Sequence, residues 1–184
     1  LARLNSNIPT TLLDVGLNAD CKPEVLYQYG ILGSIYANTV WGIENPRVGL
    51  LNIGEEEEKG NLLTKATHEL MKNSKDFNFV GNVEGNGLLS GETDVVVCDG
   101  FSGNIVLKLV ESLYTVSKDR GQNDEYFNKF NYENEGGTPV LGVNAPVLIG
   151  HGVSNANAIK NLVFTSKHIV DTDLVGKIKK RFLN

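Results

Sequence analysis

Four short segments of the chain each run from apolar residues directly into Gly, Asn, Asp or Ser. They lie at positions 12–20, 49–56, 95–104 and 147–155. In open α/β sheets, ligands bind beyond the carboxyl ends of the strands, where backbone N–H groups at helix N-termini point outward. Repeated small polar residues at that place indicate a polar pocket for an anionic or polar substrate.

The composition is typical of a globular protein with a substantial core. The 184 residues are 41% hydrophobic and 21% charged, which suits one domain and argues against disorder. A net charge of −5 disfavours nucleic acid as a partner. No apolar run approaches the roughly 20 residues that span a bilayer, and no leader sequence is visible, so we expect a cytoplasmic protein. We also expect that Leu1 lies in the interior of a longer protein.

The two cysteines do not indicate a disulfide framework. Cys21 and Cys98 have neither the number nor the spacing of a framework or a zinc site, so reduced thiols are expected. Cys98 ends a valine-rich strand and is predicted to be buried, while Cys21 lies in a polar loop. The sequence predicts no metal site.

Predicted strands and helices alternate along the chain. Helices are predicted at 22–41, 60–73, 103–117 and from a Ser154 cap to 167, with strands at 47–53, 77–81, 95–98, 140–143 and 147–149. Such alternation predicts an α/β fold of three α/β/α layers with a mostly parallel sheet. We expect residues 1–184 to form one α/β unit, in which 118–135 is a surface excursion or a gap in the chain.

Five longer stretches carry a family resemblance. In chain order they read LLDVGLNADCKPEVL, NPRVGLLNIGEEEEKGN, FVGNVEGN, DVVVCDGFSGNIVLK and GGTPVLGVNAPVLIGHGVSNANAIKN. They cover most of positions 11–117 and 136–163. On these stretches the chain resembles the PlsX family, the bacterial acyl-[acyl carrier protein]:phosphate acyltransferases.

The resemblance implies an activity and its partners. Members transfer a long fatty acyl group from the acyl carrier protein to inorganic phosphate, which gives acyl phosphate for phospholipid synthesis without a cofactor. It also implies a fold similar to isocitrate and isopropylmalate dehydrogenases, a homodimer, and peripheral association with the membrane. Members are about twice this long, so the chain corresponds to the C-terminal half, and they carry a longer helical arm where this chain has 118–132.

Phosphate is itself the nucleophile of that reaction, so the protein needs donors that hold the phosphate and stabilise an oxyanion. Lys22 beside a predicted helix start is the expected cation, with Asn18 close by. The candidate catalytic residues are Lys22, Asn82, Glu84 and His151. The candidate substrate- and phosphate-binding residues are Asn18, Asn52, Ser102, Gly103, Asn104, Asn144 and Ser154. The basic residues 177–181 are a candidate surface for the acidic carrier protein.

Each of these residues also has a structural interpretation. Lys22 reads equally as a surface lysine, Asn82 and Glu84 as parts of a turn, and Ser102 as a helix cap. His68 and His168 are interpreted as surface residues. Two other functions remain open, a short-chain phosphotransacetylase-like enzyme and a non-catalytic membrane scaffold for lipid synthesis. No strand–G-x-G-x-x-G–helix unit is present, which counts against a dinucleotide-binding dehydrogenase.

Overall fold

The computed structural model describes residues 2–4, 10–122, 125–128 and 130–183. Packing divides the chain into two compact units, one at 2–105 and the other from 106 to the C-terminal end. The first unit contains the strands β1 (Ala2–Arg3), β2 (Thr11–Leu13), β3 (Arg47–Leu51), β4 (Asn78–Val83) and β5 (Val95–Val97). Its helices are α1 (Pro23–Trp41), α2 (Leu62–Met71) and a short 3₁₀ helix at Gly85–Leu89.

The five strands of the first unit form one sheet in the order β1-β2-β5-β3-β4. The pairs β2–β5, β5–β3 and β3–β4 are parallel, and β1 adds an antiparallel edge. Val95, Val96 and Val97 of the central strand β5 are fully buried, as expected of a strand covered on both faces. The carboxyl ends of the four parallel strands therefore lie at one end of the sheet.

Helices α1 and α2 pack against this sheet and against each other. Pro23 occupies the first turn of α1, where its missing N–H removes no hydrogen bond. Gly30 and Gly33 allow α1 to pack closely, because a Cβ at Gly30 would lie 2.7 Å from the Phe77 ring and one at Gly33 would overlap Val95. The predicted α/β class with a mostly parallel sheet flanked by helices is confirmed, and it is consistent with three layers.

Helix α3 (Gly100–Asp119) begins in the first unit and continues into the second. The second unit also holds α4 (Glu125–Asn128), α5 (Tyr132–Glu135), β6 (Thr138–Val140), β7 (Val147–Ile149), α6 (Ala156–Asp171) and α7 (Leu174–Leu183). Of the helices in the described ranges, none is long and apolar enough to cross a membrane.

The fourth polar-ended segment does not join the parallel sheet. Strand β7 pairs antiparallel with β6 in a separate two-stranded sheet, so the prediction of four such segments on one sheet is wrong for 147–155. The physical reason is the short connection between them, in which Gly142 has a φ of 80°. A connection of that length turns the chain back on itself, whereas a parallel crossover needs a dozen or more residues.

Candidate functional site

The loop after β2 is shaped by the buried carboxylate of Asp14. Its two oxygens accept hydrogen bonds from the backbone N–H groups of Gly16 and Leu17, both at 3.2 Å, and of Asn18 at 2.7 Å. The side-chain amide of Asn18 donates to the hydroxyl of Tyr29 at 2.5 Å. The loop N–H groups thus point at the protein's own carboxylate.

At the start of α3, too, a carboxylate of the chain accepts a hydrogen bond from a backbone N–H group. The helix begins at Gly100 and not at 103, and Asp99 caps it, because Asp99 Oδ1 accepts from Ser102 N at 2.8 Å and Oδ2 accepts from Ser102 Oγ at 3.0 Å. Ser102 is therefore held by the cap and is not the cap. A carboxylate of the chain already occupies the N–H group at this position.

These two loops meet at the carboxyl ends of β2 and β5. The N–H of Gly100 donates to the carbonyl oxygen of Asn18 at 2.8 Å, and a Cβ at Gly100 would lie 2.7 Å from that same oxygen. A Cβ at Gly103 would collide with the carbonyl oxygen of Asp14, and one at Gly16 would come within 3.4 Å of Asn104 Oδ1. The structure therefore brings together four of the predicted site residues, namely Asn18, Ser102, Gly103 and Asn104.

Lys22 lies next to this loop, at the position before the first turn of α1. Its side chain is exposed and does not cap the helix. Neither the Lys22 ammonium nor the Asn104 amide makes a hydrogen bond or ion pair within the described ranges of the chain. Both are polar groups at the carboxyl end of the sheet that an anion can reach.

Burial favours the neutral forms of one tyrosine and two cysteines near these loops. Burial raises the pKa of Tyr29 to about 12, against the opposing effect of its hydrogen bond with Asn18. Burial likewise raises the pKa of the Cys21 thiol, and it raises the pKa of the buried Cys98 thiol well above its usual range. These thiols are poor nucleophiles near neutral pH, because the thiolate is the reactive form.

At the carboxyl ends of β3 and β4, two buried asparagines hold the acidic loop at 54–60. Asn52 Nδ2 donates to the carbonyl oxygen of Lys59 at 3.1 Å, and Asn82 Nδ2 donates to that of Glu56 at 2.8 Å. Asn82 Oδ1 also lies 3.0 Å from His68 Nδ1. Both side-chain amides therefore hold the loop at 54–60 against the strand ends by hydrogen bonds.

His68 is the residue that sequence reasoning missed. The sequence suggests a surface residue, but the His68 side chain is only 4% exposed and its ring packs edge-on against Phe79. The inner face of α2 carries Thr67, His68 and Met71, which are buried, whereas Leu62 is 90% exposed. The three-residue spacing of His68 from the apolar Met71 is the signal in the sequence that could have revealed its position on the inner face.

Glu84 follows β4 directly and precedes the 3₁₀ helix. Its carbonyl oxygen accepts from Gly87 N at 2.9 Å, as a turn requires, and its side chain is half-buried. The carboxylate makes no hydrogen bond with any residue that the structure describes. Its predicted catalytic role stays a prediction.

In the second unit, the loop after β7 carries two of the predicted residues. Ser154 Oγ donates to the carbonyl oxygen of His151 at 2.7 Å. The predicted Ser154 cap of α6 is wrong, because Asn155 Oδ1 accepts from Ala158 N at 3.0 Å and caps the helix instead. His151 Nε2 lies 3.3 Å from Lys108 Nζ of helix α3.

Asn144 is separated from His151 by the length of β7. It lies in the hairpin connection before that strand, whereas His151 follows the strand. The carbonyl oxygen of Asn144 accepts from Lys179 Nζ of α7 at 3.4 Å. The hairpin therefore does not bring Asn144 into one cluster with His151 and Ser154.

No group of three or more His, Cys, Asp and Glu side chains within the described part of the chain is arranged to hold a metal ion.

Comparison with known proteins gives the family. The model of the fatty acid synthesis protein family matches residues 4–119. The phosphate acyltransferase of Desulforudis audaxviator is 45% identical over 95% of this chain and 57% of its own length. The phosphate acyltransferase of Wolinella succinogenes is 46% identical over 93% of this chain and 57% of its own length. That of Helicobacter hepaticus is 42% identical over 96% of this chain and 58% of its own length.

The chain spans a little more than half the length of these relatives. The alignment with the Desulforudis audaxviator protein runs over 193 positions, although the chain has 184 residues, so that relative carries residues within the matched region that this chain lacks. The match nevertheless includes nearly all of the chain. The chain therefore belongs to the fatty acid synthesis protein family, the PlsX family that its motifs indicated.

Proposed function

We propose that the protein transfers a long-chain fatty acyl group from acyl-[acyl carrier protein] to inorganic phosphate, forming acyl phosphate for phospholipid synthesis. The observation that carries the proposal is the match of more than nine-tenths of the chain to proteins named phosphate acyltransferase. The chain is then the C-terminal half of that enzyme, and the activity is that of the complete protein.

In the proposed reaction one phosphate oxygen attacks the carbonyl carbon of the thioester. The C–O bond to phosphate forms, the C–S bond breaks, and the proton of hydrogen phosphate passes to the departing thiol. The enzyme contributes position and charge stabilisation, since phosphate supplies the nucleophile. Lys22 and Asn104 of the first unit are proposed to hold the phosphate. His151 of the second unit is proposed from its residue type to polarise the carbonyl or assist the leaving sulfur.

Side chains carry this phosphate site, since nearby backbone donors are engaged. Asp14 takes the N–H groups of the loop after β2, and Asp99 takes the Ser102 N–H at the start of α3. Two carboxylates close to the site would repel a phosphate dianion. A cation such as Lys22 is therefore needed to make anion binding favourable there.

The partners are proposed from charge and exposure. The exposed basic residues of α7, Lys177, Lys179, Lys180 and Arg181, offer a surface for the acidic carrier protein. Helix α3 exposes apolar side chains along its length, which suits a homodimer contact or peripheral attachment of a cytoplasmic enzyme to the membrane; they are Phe101, Ile105, Leu109, Leu113 and Val116.

The test is acyl transfer by the complete protein, with acyl phosphate trapped by hydroxylamine as the hydroxamate. We expect product from a long-chain acyl-carrier-protein thioester only when phosphate is present. Product formed without phosphate, or no product at all, would contradict the proposal. Faster transfer from a short-chain coenzyme A thioester would indicate a phosphotransacetylase instead.

A parallel flotation assay with anionic vesicles addresses the membrane scaffold. Binding to vesicles by a protein that forms no acyl phosphate would favour the scaffold over the enzyme. We expect both vesicle binding and phosphate-dependent turnover from the complete protein.

A further inference from the structure

Three side chains of the second unit form a cluster that the predicted site did not include as a whole. Lys108 and Glu111 come from helix α3, and His151 comes from the loop after β7. Lys108 Nζ donates to Glu111 Oε2 at 2.8 Å and lies 3.3 Å from His151 Nε2. Glu111 Oε2 lies 3.8 Å from the same ring nitrogen. The exposed fractions of 53%, 24% and 36% for Lys108, Glu111 and His151 leave the cluster accessible from solvent.

The chemistry of these groups decides which imidazole nitrogen carries the proton. A lysine ammonium has three donors and no acceptor, so Nε2 of His151 must accept the hydrogen bond from Lys108. The proton of the neutral ring then lies on Nδ1, since the bond made by one ring nitrogen fixes the state of the other. Glu111 holds the ammonium in place from the next turn of the helix.

The backbone of the same loop is also anchored. Ser154 Oγ donates to the carbonyl oxygen of His151, so the main chain as well as the ring has a defined partner. The contact with Lys108 restricts the rotation of the ring, and the bond from Ser154 restricts the main chain of the loop. Such restriction is what a group needs if it is to meet a substrate in one geometry.

We propose that Lys108 is a positioning residue that fixes His151 as its Nδ1–H tautomer. In this state the ring can donate a proton or a hydrogen bond only through Nδ1. The use of that donor on the thioester carbonyl or the leaving sulfur rests on the proposed function, whereas the tautomer itself is inferred from the Lys108–His151 contact.

The tautomer is measured by long-range ¹H–¹⁵N NMR of the complete protein with ¹⁵N-labelled histidine. The spectrum is recorded at about pH 8.5, so that the tautomer of the neutral ring is the form under test. A His151→Gln variant assigns the His151 signals against those of His68 and His168. We expect an unprotonated Nε2 and a protonated Nδ1. A protonated Nε2 in the native protein would overturn the proposal.

Variants of Lys108 test its part in this state. We expect Lys108→Met to move the spectrum toward the Nε2–H tautomer, and Lys108→Arg, which keeps a cationic donor, to preserve the native pattern. Lys118→Met on the same helix is the matched control and should change nothing. A native spectrum in Lys108→Met would overturn the proposal, and the native measurement decides it even where a variant fails to fold.

Kinetics separate positioning from structural support. We expect Lys108→Met to lower kcat at least about tenfold, because an imidazole in the wrong tautomer loses its catalytic use. The KM for phosphate should stay within about twofold, and Lys108→Arg should restore most of kcat. A changed tautomer with an unchanged kcat would overturn the positioning role. Absence of turnover in the native protein would instead contradict the proposed function and leave the tautomer result standing.

Discussion

The backbone N–H of Gly100 donates a hydrogen bond to the carbonyl oxygen of Asn18 at 2.8 Å. This single bond joins the loop after β2 to the first residue of α3, at the carboxyl ends of two adjacent parallel strands. The contact leaves no room for a side chain at position 100, where a Cβ would meet Asn18 at 2.7 Å. The predicted anion site is thus built on two loops in backbone contact.

The contact between the two loops requires a glycine at position 103 most strictly. A Cβ at this position would collide with the carbonyl oxygen of Asp14, which is backbone and cannot turn aside. We expect Gly103→Ala to lower the free energy of unfolding by about 3 kcal/mol, measured by urea denaturation. Gly85→Ala is the control, because nothing lies within 4 Å of a Cβ there. Equal stability of the two variants would refute the close contact.

Lys22 is the cation on which the proposed phosphate site depends. We expect Lys22→Ala to raise the KM for phosphate about tenfold or more, since a charge-assisted hydrogen bond contributes roughly 1.5–3 kcal/mol. The melting temperature should not change, because the Lys22 side chain is exposed. Lys65→Ala, an exposed lysine on α2, is the control. If both variants bind phosphate equally well, Lys22 is a surface lysine and no more.

The sequence predicts most helices and strands of the first unit because their signals are local, but it indicates neither β1 nor the 3₁₀ helix. Val95–Val97 is β-branched throughout, Pro23 suits a first helical turn, and Gly30 and Gly33 suit close packing. The prediction for β7 is wrong because an apolar run of three residues does not identify the strand with which it pairs. Local patterns carry no information about which strand lies beside which.

The candidate site was predicted only in part for a related reason. The sequence correctly predicts that four polar or small residues lie close together, because all of them follow strands of one sheet; they are Asn18, Ser102, Gly103 and Asn104. It did not reveal that Asp99 takes the Ser102 N–H, nor that His68 turns inward to Asn82. Such partners are decided by tertiary contacts between residues far apart in the chain.

The ion pair of Arg47 and Asp94 links the amino ends of β3 and β5. Burial acts to raise the pKa of Asp94, but the hydrogen bonds from Arg47 outweigh it and hold that pKa below its usual value. A carboxyl group whose pKa is lowered by folding stabilises the folded state, and this contribution is complete when the pH is above the ordinary aspartate pKa. That stability is lost as the pH falls through the lowered value.

We therefore expect Arg47→Met to lower the free energy of unfolding at pH 7 by about 2 kcal/mol. The variant should also lose less stability than the native protein as the pH falls below about 4, the ordinary range of an aspartate. Urea denaturation at a series of pH values measures both effects. Arg120→Met, at an exposed position after α3, is the control. Parallel pH profiles for native protein and Arg47→Met would contradict this account.

Asn82 serves the fold through two hydrogen bonds. Removing its side chain leaves the buried His68 ring and the Glu56 carbonyl oxygen without these bonds. We expect Asn82→Ala to destabilise the protein by about 2 kcal/mol, measured by thermal denaturation. The exposed Asn86 offers the matched control, Asn86→Ala. A stable Asn82→Ala variant that has lost turnover would restore the catalytic interpretation over the structural one.

The location of the anion tests the central claim most directly. A crystal structure of the complete protein with bound phosphate is the measurement. We expect the phosphate within hydrogen-bond distance of Lys22 Nζ and the Asn104 amide, at the carboxyl ends of β2 and β5. Phosphate bound only at places that neither residue reaches would contradict the account.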